Sequence, residues 1–402
     1  MAEPSSREDA VFRMWLMLST IAFTLIPPAA AAQDFYSYTS MQVQGPPGTL
    51  IRIAPMDGPD GPPLGAVAYR VLYRSTGLNG EPIAVSGIVV VPPGDPPPEG
   101  RRVIAWAHPT TGVVSRCAPS KAFFVFQNMM GLRTMVREGY VVVATDYPGL
   151  GTVGPHPYLV GVSEARGVID AVRAARLIPG VGAGNRFAVW GHSQGGQAAL
   201  FTGMIVAGYA PELQLVGVAA AAPATDLLTL LRDDAATDGG RNITAMTLWS
   251  WSRVYNLPID KLVAPQAMPA VDALSHECIE SVLDMFERRR SQKPLATAFL
   301  QVPDITRVEP WRTLLVQNIP GTLPPSLPVF IAQGDADTLV RPEVTQAYVQ
   351  QLCAAGSRVS YLDLPGVKHG FAGSDSALAA IAWIDDRMDG KPAPNSCAAV
   401  GR

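Results

Sequence analysis

Residues 187–196 read Phe-Ala-Val-Trp-Gly-His-Ser-Gln-Gly-Gly, an apolar run that closes in Gly191-His192-Ser193-Gln194-Gly195. A helix-forming stretch from Gln197 follows at once. A serine between a strand and a helix, with a glycine two positions to either side, marks a turn so sharp that the serine backbone is strained. Glycines at those positions let the crossing segments approach. The turn lifts the hydroxyl clear of the sheet, and the helix N-terminus behind it favours negative charge developing there. The chain holds 37 glycines, so the pentapeptide alone carries little weight. The flanking strand and helix are what make Ser193 a candidate nucleophile.

The rest of the chain fits such a sheet. Segment 66–73 alternates apolar and polar residues, 77–80 turns, and 83–91 returns as a second strand. Short, mostly apolar runs then occur at 103–107, 141–144, 187–190, 215–222, 329–332 and 359–364. Runs of this kind suit parallel strands buried on both faces. Between them lie helical stretches, the clearest at 163–177 with Ser163 as its expected N-cap. The alternation predicts a doubly wound α/β sheet with right-handed crossovers. The interval 225–327 breaks this rhythm. It has a helical pattern at 277–290 and many apolar residues of exposed type: Met246, Leu248, Trp249, Trp251, Leu283, Met285, Phe286, Phe299 and Leu300. It reads as a helical cap inserted between core segments 33–224 and 328–402, and a subdomain with its own core is compatible with that reading.

A serine nucleophile needs a base, and the base needs an orienting acid, in the chain order Ser, Asp, His. The strand 329–332 runs into Gln333-Gly-Asp-Ala-Asp-Thr-Leu-Val340. Asp337 is the favoured acid there, Asp335 a turn residue bracing the loop, and Asp226 a third contender. Of five histidines, His108 and His156 precede the serine, His192 adjoins it, and His276 lies in the inserted segment. His369, in the loop after the last strand, is the expected base. Two donors are needed for an oxyanion. Gln194 offers the backbone N–H after the nucleophile, and the loop Trp106-Ala-His-Pro-Thr-Thr-Gly112 offers Thr110 or Thr111, since Pro109 has no N–H.

Composition excludes other classes. Charged residues make up 16% of the 402, with a formal net charge of −3, so nothing points to nucleic acid. There is no Walker or dinucleotide glycine fingerprint and no histidine pair at i, i+4, so neither a cofactor nor a metal is expected. Residues 14–26 are an apolar core followed by Pro27-Pro28 and an alanine run, the layout of a secretory signal cleaved after Ala32. Arg7 and Arg13 are offset by Glu3, Glu8 and Asp9, which leaves a retained anchor as the alternative. Four cysteines, Cys117, Cys278, Cys353 and Cys397, fit an exported chain with two disulfides, for which three connectivities exist.

Taken together, Trp106-Ala-His-Pro-Thr-Thr-Gly112, Thr145-Asp-Tyr-Pro-Gly-Leu-Gly151, His156-Pro-Tyr158, Trp190-Gly-His-Ser-Gln-Gly-Gly196 and Lys368-His369-Gly370 resemble the secretory lipase family, the lipase A type of α/β-hydrolase from fungi and bacteria. The resemblance spans roughly residues 40–400. It implies an α/β-hydrolase fold, a mostly parallel doubly wound sheet with an inserted helical cap. It also implies Ser193, Asp337 and His369 as a triad, and pairing of Cys117 with Cys278 and of Cys353 with Cys397. The expected protein is an exported serine hydrolase of carboxylic esters, a lipase or carboxylesterase. Its expected partner is an apolar ester or lipid, met at a lipid interface through the cap, and the chain is expected to act as a monomer. A serine peptidase or amidase on the same scaffold is the runner-up.

Overall fold

Buried apolar runs separated by amphipathic stretches resolve into one nine-stranded sheet with helices on both faces. The computed structural model describes residues 34–56, 61–233, 237–280 and 282–400. The expected secretory signal at 1–32 lies outside them. The strands are β1 (Leu50–Pro55), β2 (Val67–Thr76), β3 (Pro82–Val91), β4 (Arg101–Ala107), β5 (Val141–Thr145), β6 (Ala183–His192), β7 (Gln214–Ala221), β8 (Val329–Gly334) and β9 (Val359–Leu364). Their spatial order is β1-β2-β3-β5-β4-β6-β7-β8-β9. From β5 to β9 all pairings are parallel, and β1, β2 and β3 add antiparallel strands at one side. These elements belong to a unit that starts at Phe35.

The inner parallel strands β4 to β8 are largely buried on both faces, which is why they read as apolar runs, whereas the edge strand β9 is buried only at Val359 and Ser360. One face packs on α3 (Gly161–Arg176), α4 (Gln194–Tyr209) and α11 (Pro342–Ala354), through residues such as Val168, Leu200 and Leu352. The other packs on α1 (Val125–Asn128), α2 (Leu132–Arg137) and α12 (His369–Met388), through Phe126, Met135, Ile381 and Trp383. Between β7 and β8 the chain forms α5 (Leu227–Asp233), α6 (Asp238–Val254), α7 (Met268–His276), α8 (Val282–Ser291), α9 (Lys293–Thr297) and α10 (Trp311–Gln317). The chain closes with α13 (Cys397–Val400).

Several local expectations differ from the structure. Met246, Leu248, Trp249, Trp251 and Phe299 are buried, and they build a third apolar core with Trp311 and Leu315. Large aromatic side chains release most free energy when removed from water, so the inserted helices pack on each other first. Phe286 is exposed, at 58%. Ser163 is not an N-cap. The helix begins at Gly161, whose N–H is taken by Asn318 Oδ1 at 3.1 Å, so a distant side chain supplies the cap that the sequence suggested was local. The helix expected at 277–290 begins only at Val282, because Cys278 is bonded to Cys117 and the Ile279 N–H donates to the Thr111 carbonyl at 2.8 Å. Edge strand β1 had no sequence signal. It carries Pro55, which an edge tolerates and a central strand does not.

Two disulfides are formed. Cys117–Cys278 joins the loop after β4 to the inserted helices across 161 residues, and Cys353–Cys397 fastens α13 to α11. Among the described residues no helix is long and apolar enough to cross a membrane.

Candidate active site

The turn between β6 and α4 follows from its glycines. Ser193 adopts φ 57° and ψ −119°, a region that costs a non-glycine residue of order 1–3 kcal/mol. The crossing that holds it there leaves no room for a side chain at Gly191, where a Cβ would lie 2.1 Å from the Gly195 carbonyl oxygen. At Gly195 a Cβ would lie 1.9 Å from the Ala107 carbonyl oxygen. A Gly195→Ala protein should therefore lose stability or fail to fold. Gly208→Ala, in the same helix with nothing near its Cβ, should be neutral or gain up to about 1 kcal/mol. Paired thermal melts check this, and equal melting of the two variants would refute the close crossing.

Ser193 lies at the carboxyl end of β6, in the middle of the sheet, and the loops after β8 and β9 converge on it. The Ser193 hydroxyl donates to His369 Nε2 at 2.8 Å. The opposite ring nitrogen, Nδ1, donates to Asp337 Oδ2 at 2.7 Å. A carboxylate only accepts, so this contact puts the proton on Nδ1 and leaves Nε2 as a lone-pair acceptor facing the serine. Asp337 is itself held fast. Its Oδ1 accepts the N–H groups of Leu339 and Val340 at 2.8 and 2.9 Å, and Oδ2 also accepts from Gln333 Nε2 at 3.2 Å. The arrangement can deprotonate a hydroxyl as it attacks an electrophile and stabilise the imidazolium that results.

The other candidates fall elsewhere. Asp335 accepts the Gly366 N–H at 2.5 Å, bracing the loop. Asp226 is occupied by Thr229, through its N–H at 3.1 Å and its hydroxyl at 2.6 Å. Burial depresses the basicity of three histidines: His108 to about 4, and His156 and His192 to about 3. His192 donates from Nε2 to the His369 carbonyl at 2.9 Å, supporting the loop that carries His369. His276 is exposed on α7.

As the first residue of α4, Gln194 has no intrahelical acceptor for its N–H. Thr110 comes from the loop after β4, and its hydroxyl pairs with that of Tyr158 at 2.9 Å. Thr111 turns its carbonyl to Ile279. An apolar slot of about 30 Å³ adjoins Ser193 and Gln194, lined by Leu227, Leu230, Leu231, Ile243 and Val340. A roomier cavity of about 360 Å³ lies between Thr110, His192 and Gly370. Glu280 lines it, and its carboxyl is pushed up to about 7, mainly by burial. Among the described residues no cluster of His, Cys, Asp and Glu could hold a metal ion.

Two residues near the site have no role assigned from sequence. Glu164 and Tyr158 are buried and contact Gln194 and Thr110 respectively. A signal existed for Glu164, which shares the α3 stripe of Gly161, Val168 and Ala171, all buried, where a carboxylate has no solvent to face.

Comparison with known proteins adds the following. The sequence model described as Secretory lipase matches residues 115–396. The chain is 27% identical over 357 residues to the secreted triacylglycerol lipase LIP7 of Malassezia globosa, covering 83% of this chain and 74% of that protein. It is 25% identical to the probable inactive lipase MT1628 of Mycobacterium tuberculosis, covering 82% and 75%. Candida antarctica lipase A superposes with a TM-score of 0.76 at 17% identity, over 90% of this chain and 86% of that one, which shows the α/β-hydrolase fold.

Proposed function

The chain belongs to the secretory lipase family and is a secreted carboxylic ester hydrolase, and from that premise we propose that it works through Ser193, His369 and Asp337 by way of an acyl-enzyme. The observation that carries the reading is the unbroken chain of hydrogen bonds from Asp337 through His369 to Ser193. Similarity to a relative named as probably inactive gives that continuity its weight.

In this mechanism Ser193 Oγ attacks the acyl carbonyl while its proton passes to His369 Nε2. The N–H groups of Gln194 and Thr110 receive the oxyanion. His369 then hands the proton to the leaving alkoxide, the C–O bond breaks, and the alcohol departs. Water, deprotonated by the same imidazole, releases the acid and restores Ser193. Asp337 stays ionised throughout and keeps the imidazole in one tautomer. The leaving oxygen must sit against His369 Nε2, so the alcohol half lies toward the cavity beside Gly370 and the acyl half toward the leucine-lined slot. At about 30 Å³ the slot has room for a water or two, so a long acyl chain requires the inserted helices to move. Those helices serve as a cap, and contact with a lipid interface is where such movement would be favoured.

The test is a parallel assay of the mature chain on p-nitrophenyl esters from acetate to palmitate, p-nitroanilides, and emulsified triglyceride. Hydrolysis of long esters and emulsion is the expected result. Activity confined to short esters would make it a carboxylesterase with a fixed cap. Amide cleavage without ester cleavage would overturn the reading.

A further inference from the structure

Both oxyanion donors in the reading above lean on one short segment. The side chain of Gln194 points back into the protein, 1% exposed, and its Nε2 is held twice. It donates to Glu164 Oε1 at 2.8 Å and to His156 Nε2 at 2.8 Å. His156 can accept because its Nδ1 donates to the Pro148 carbonyl at 2.9 Å, and its ring stacks on Tyr147 with centroids 5.6 Å apart. Glu164 Oε1 also accepts the Leu159 N–H at 3.0 Å. Two residues before Leu159's own neighbour Val160, the Tyr158 hydroxyl meets that of Thr110 at 2.9 Å. Helix α6 grips the same stretch from the other side. Ser250 Oγ donates to the His156 carbonyl at 2.6 Å, and Trp251 Nε1 donates to the Tyr158 carbonyl at 2.7 Å.

We propose that residues 156–164 are a brace for the oxyanion hole, with Glu164 the positioning residue for Gln194 and Tyr158 the positioning residue for Thr110. Ser193 is held in a strained conformation, and the simplest way to release that strain is to rotate the peptide between Ser193 and Gln194. That peptide carries the N–H meant for the oxyanion. Rotation would drag the Gln194 side chain with it, and both donors of its amide are committed to groups on different elements. The peptide is therefore kept in its reactive orientation before substrate arrives, as preorganised electrostatic catalysis requires. Burial raises the Glu164 carboxyl to about 8, so at neutral pH no formal charge lies beneath the site where negative charge develops. The links to Ser250 and Trp251 join the brace to the inserted helices.

The proposal rests on Ser193 being the nucleophile, and the test separates the two. Glu164→Leu should lower kcat on a short p-nitrophenyl ester by about 10- to 100-fold, with KM changed by less than about 2-fold, because one donor is misdirected and not removed. Glu164→Gln, which keeps a neutral acceptor, should restore most of that loss. Gln194→Met retains the backbone N–H but loses the clamp, and it should fall as far as Glu164→Leu. Tyr158→Phe should fall less. The rate of covalent labelling of Ser193 by a p-nitrophenyl phosphonate should fall in step with kcat, since the adduct places an oxygen in the same hole. Wild-type kcat and labelling in Gln194→Met, or a loss in Glu164→Leu that appears in KM alone, would overturn the brace. Should Glu164→Leu not fold, Gln194→Met and Tyr158→Phe decide the matter. Labelling at a residue other than Ser193 in the wild-type chain would instead overturn the nucleophile.

Discussion

Replacing Ser193 by alanine should lower ester turnover by about a million-fold, the scale seen when a serine nucleophile is deleted while the remaining machinery stays. The substitution removes one hydroxyl whose partner is His369, and the backbone contacts that set the turn, such as the Ser193 N–H to the Ala221 carbonyl at 2.9 Å, are untouched. The variant should therefore melt with the parent protein. Thermal denaturation beside a kinetic assay is enough to see both. A folded variant that keeps even a hundredth of the parent rate would place the nucleophile elsewhere.

Asp337→Asn should cost about ten-thousand-fold in kcat, and Asp335→Asn less than about ten-fold, although the two residues are two positions apart. At 337 an amide can turn its NH2 toward His369 Nδ1. That drives the ring proton to Nε2, where it faces Ser193 as a donor and the base is lost. At 335 the side chain only accepts the Gly366 N–H, and an asparagine oxygen can do the same. Assay of both variants on one ester reads the difference, and the reverse ranking would reassign the acid.

Ser193 and Asp337 could be singled out because each follows a strand that is buried and largely apolar, β6 and β8, while His369 follows the mixed edge strand β9 and was reached through chain order. Chain order then assigns the roles. Six of the nine strands could be read from apolar runs and two more, β2 and β3, from alternation and the turn between them; the edge strand β1, Leu50–Pro55, showed neither signal. What stayed hidden depends on contacts distant in sequence. Asn318 caps α3 from 157 residues away, and no local rule could prefer it over Ser163. For Glu164 the apolar stripe of α3 signals a buried carboxylate, but its partner Gln194 lies 30 residues away and no local rule names it. The aromatic residues of α6 carried the right hydrophobicity, yet periodicity does not say whether such a face meets substrate or a neighbouring helix. Here Trp251 stacks on Trp311, with centroids 6.3 Å apart.

The Cys117–Cys278 bond also decides how the inserted helices can travel. A segment joined to a sheet only by its two chain ends can lift like a flap. This one has a third attachment, riveted beside Thr111 and backed by the Ile279 N–H to the Thr111 carbonyl. Leu227, Leu230 and Ile243, which close the slot, lie some 35–50 residues along the chain from that rivet. Any widening of the slot would therefore be a swing about a fixed corner, largest at Leu227, Leu230 and Ile243 and smallest next to the Thr110 loop. Under the proposed mechanism such a swing would open the slot to a long chain at one wall while the wall proposed to hold the oxyanion hardly stirs.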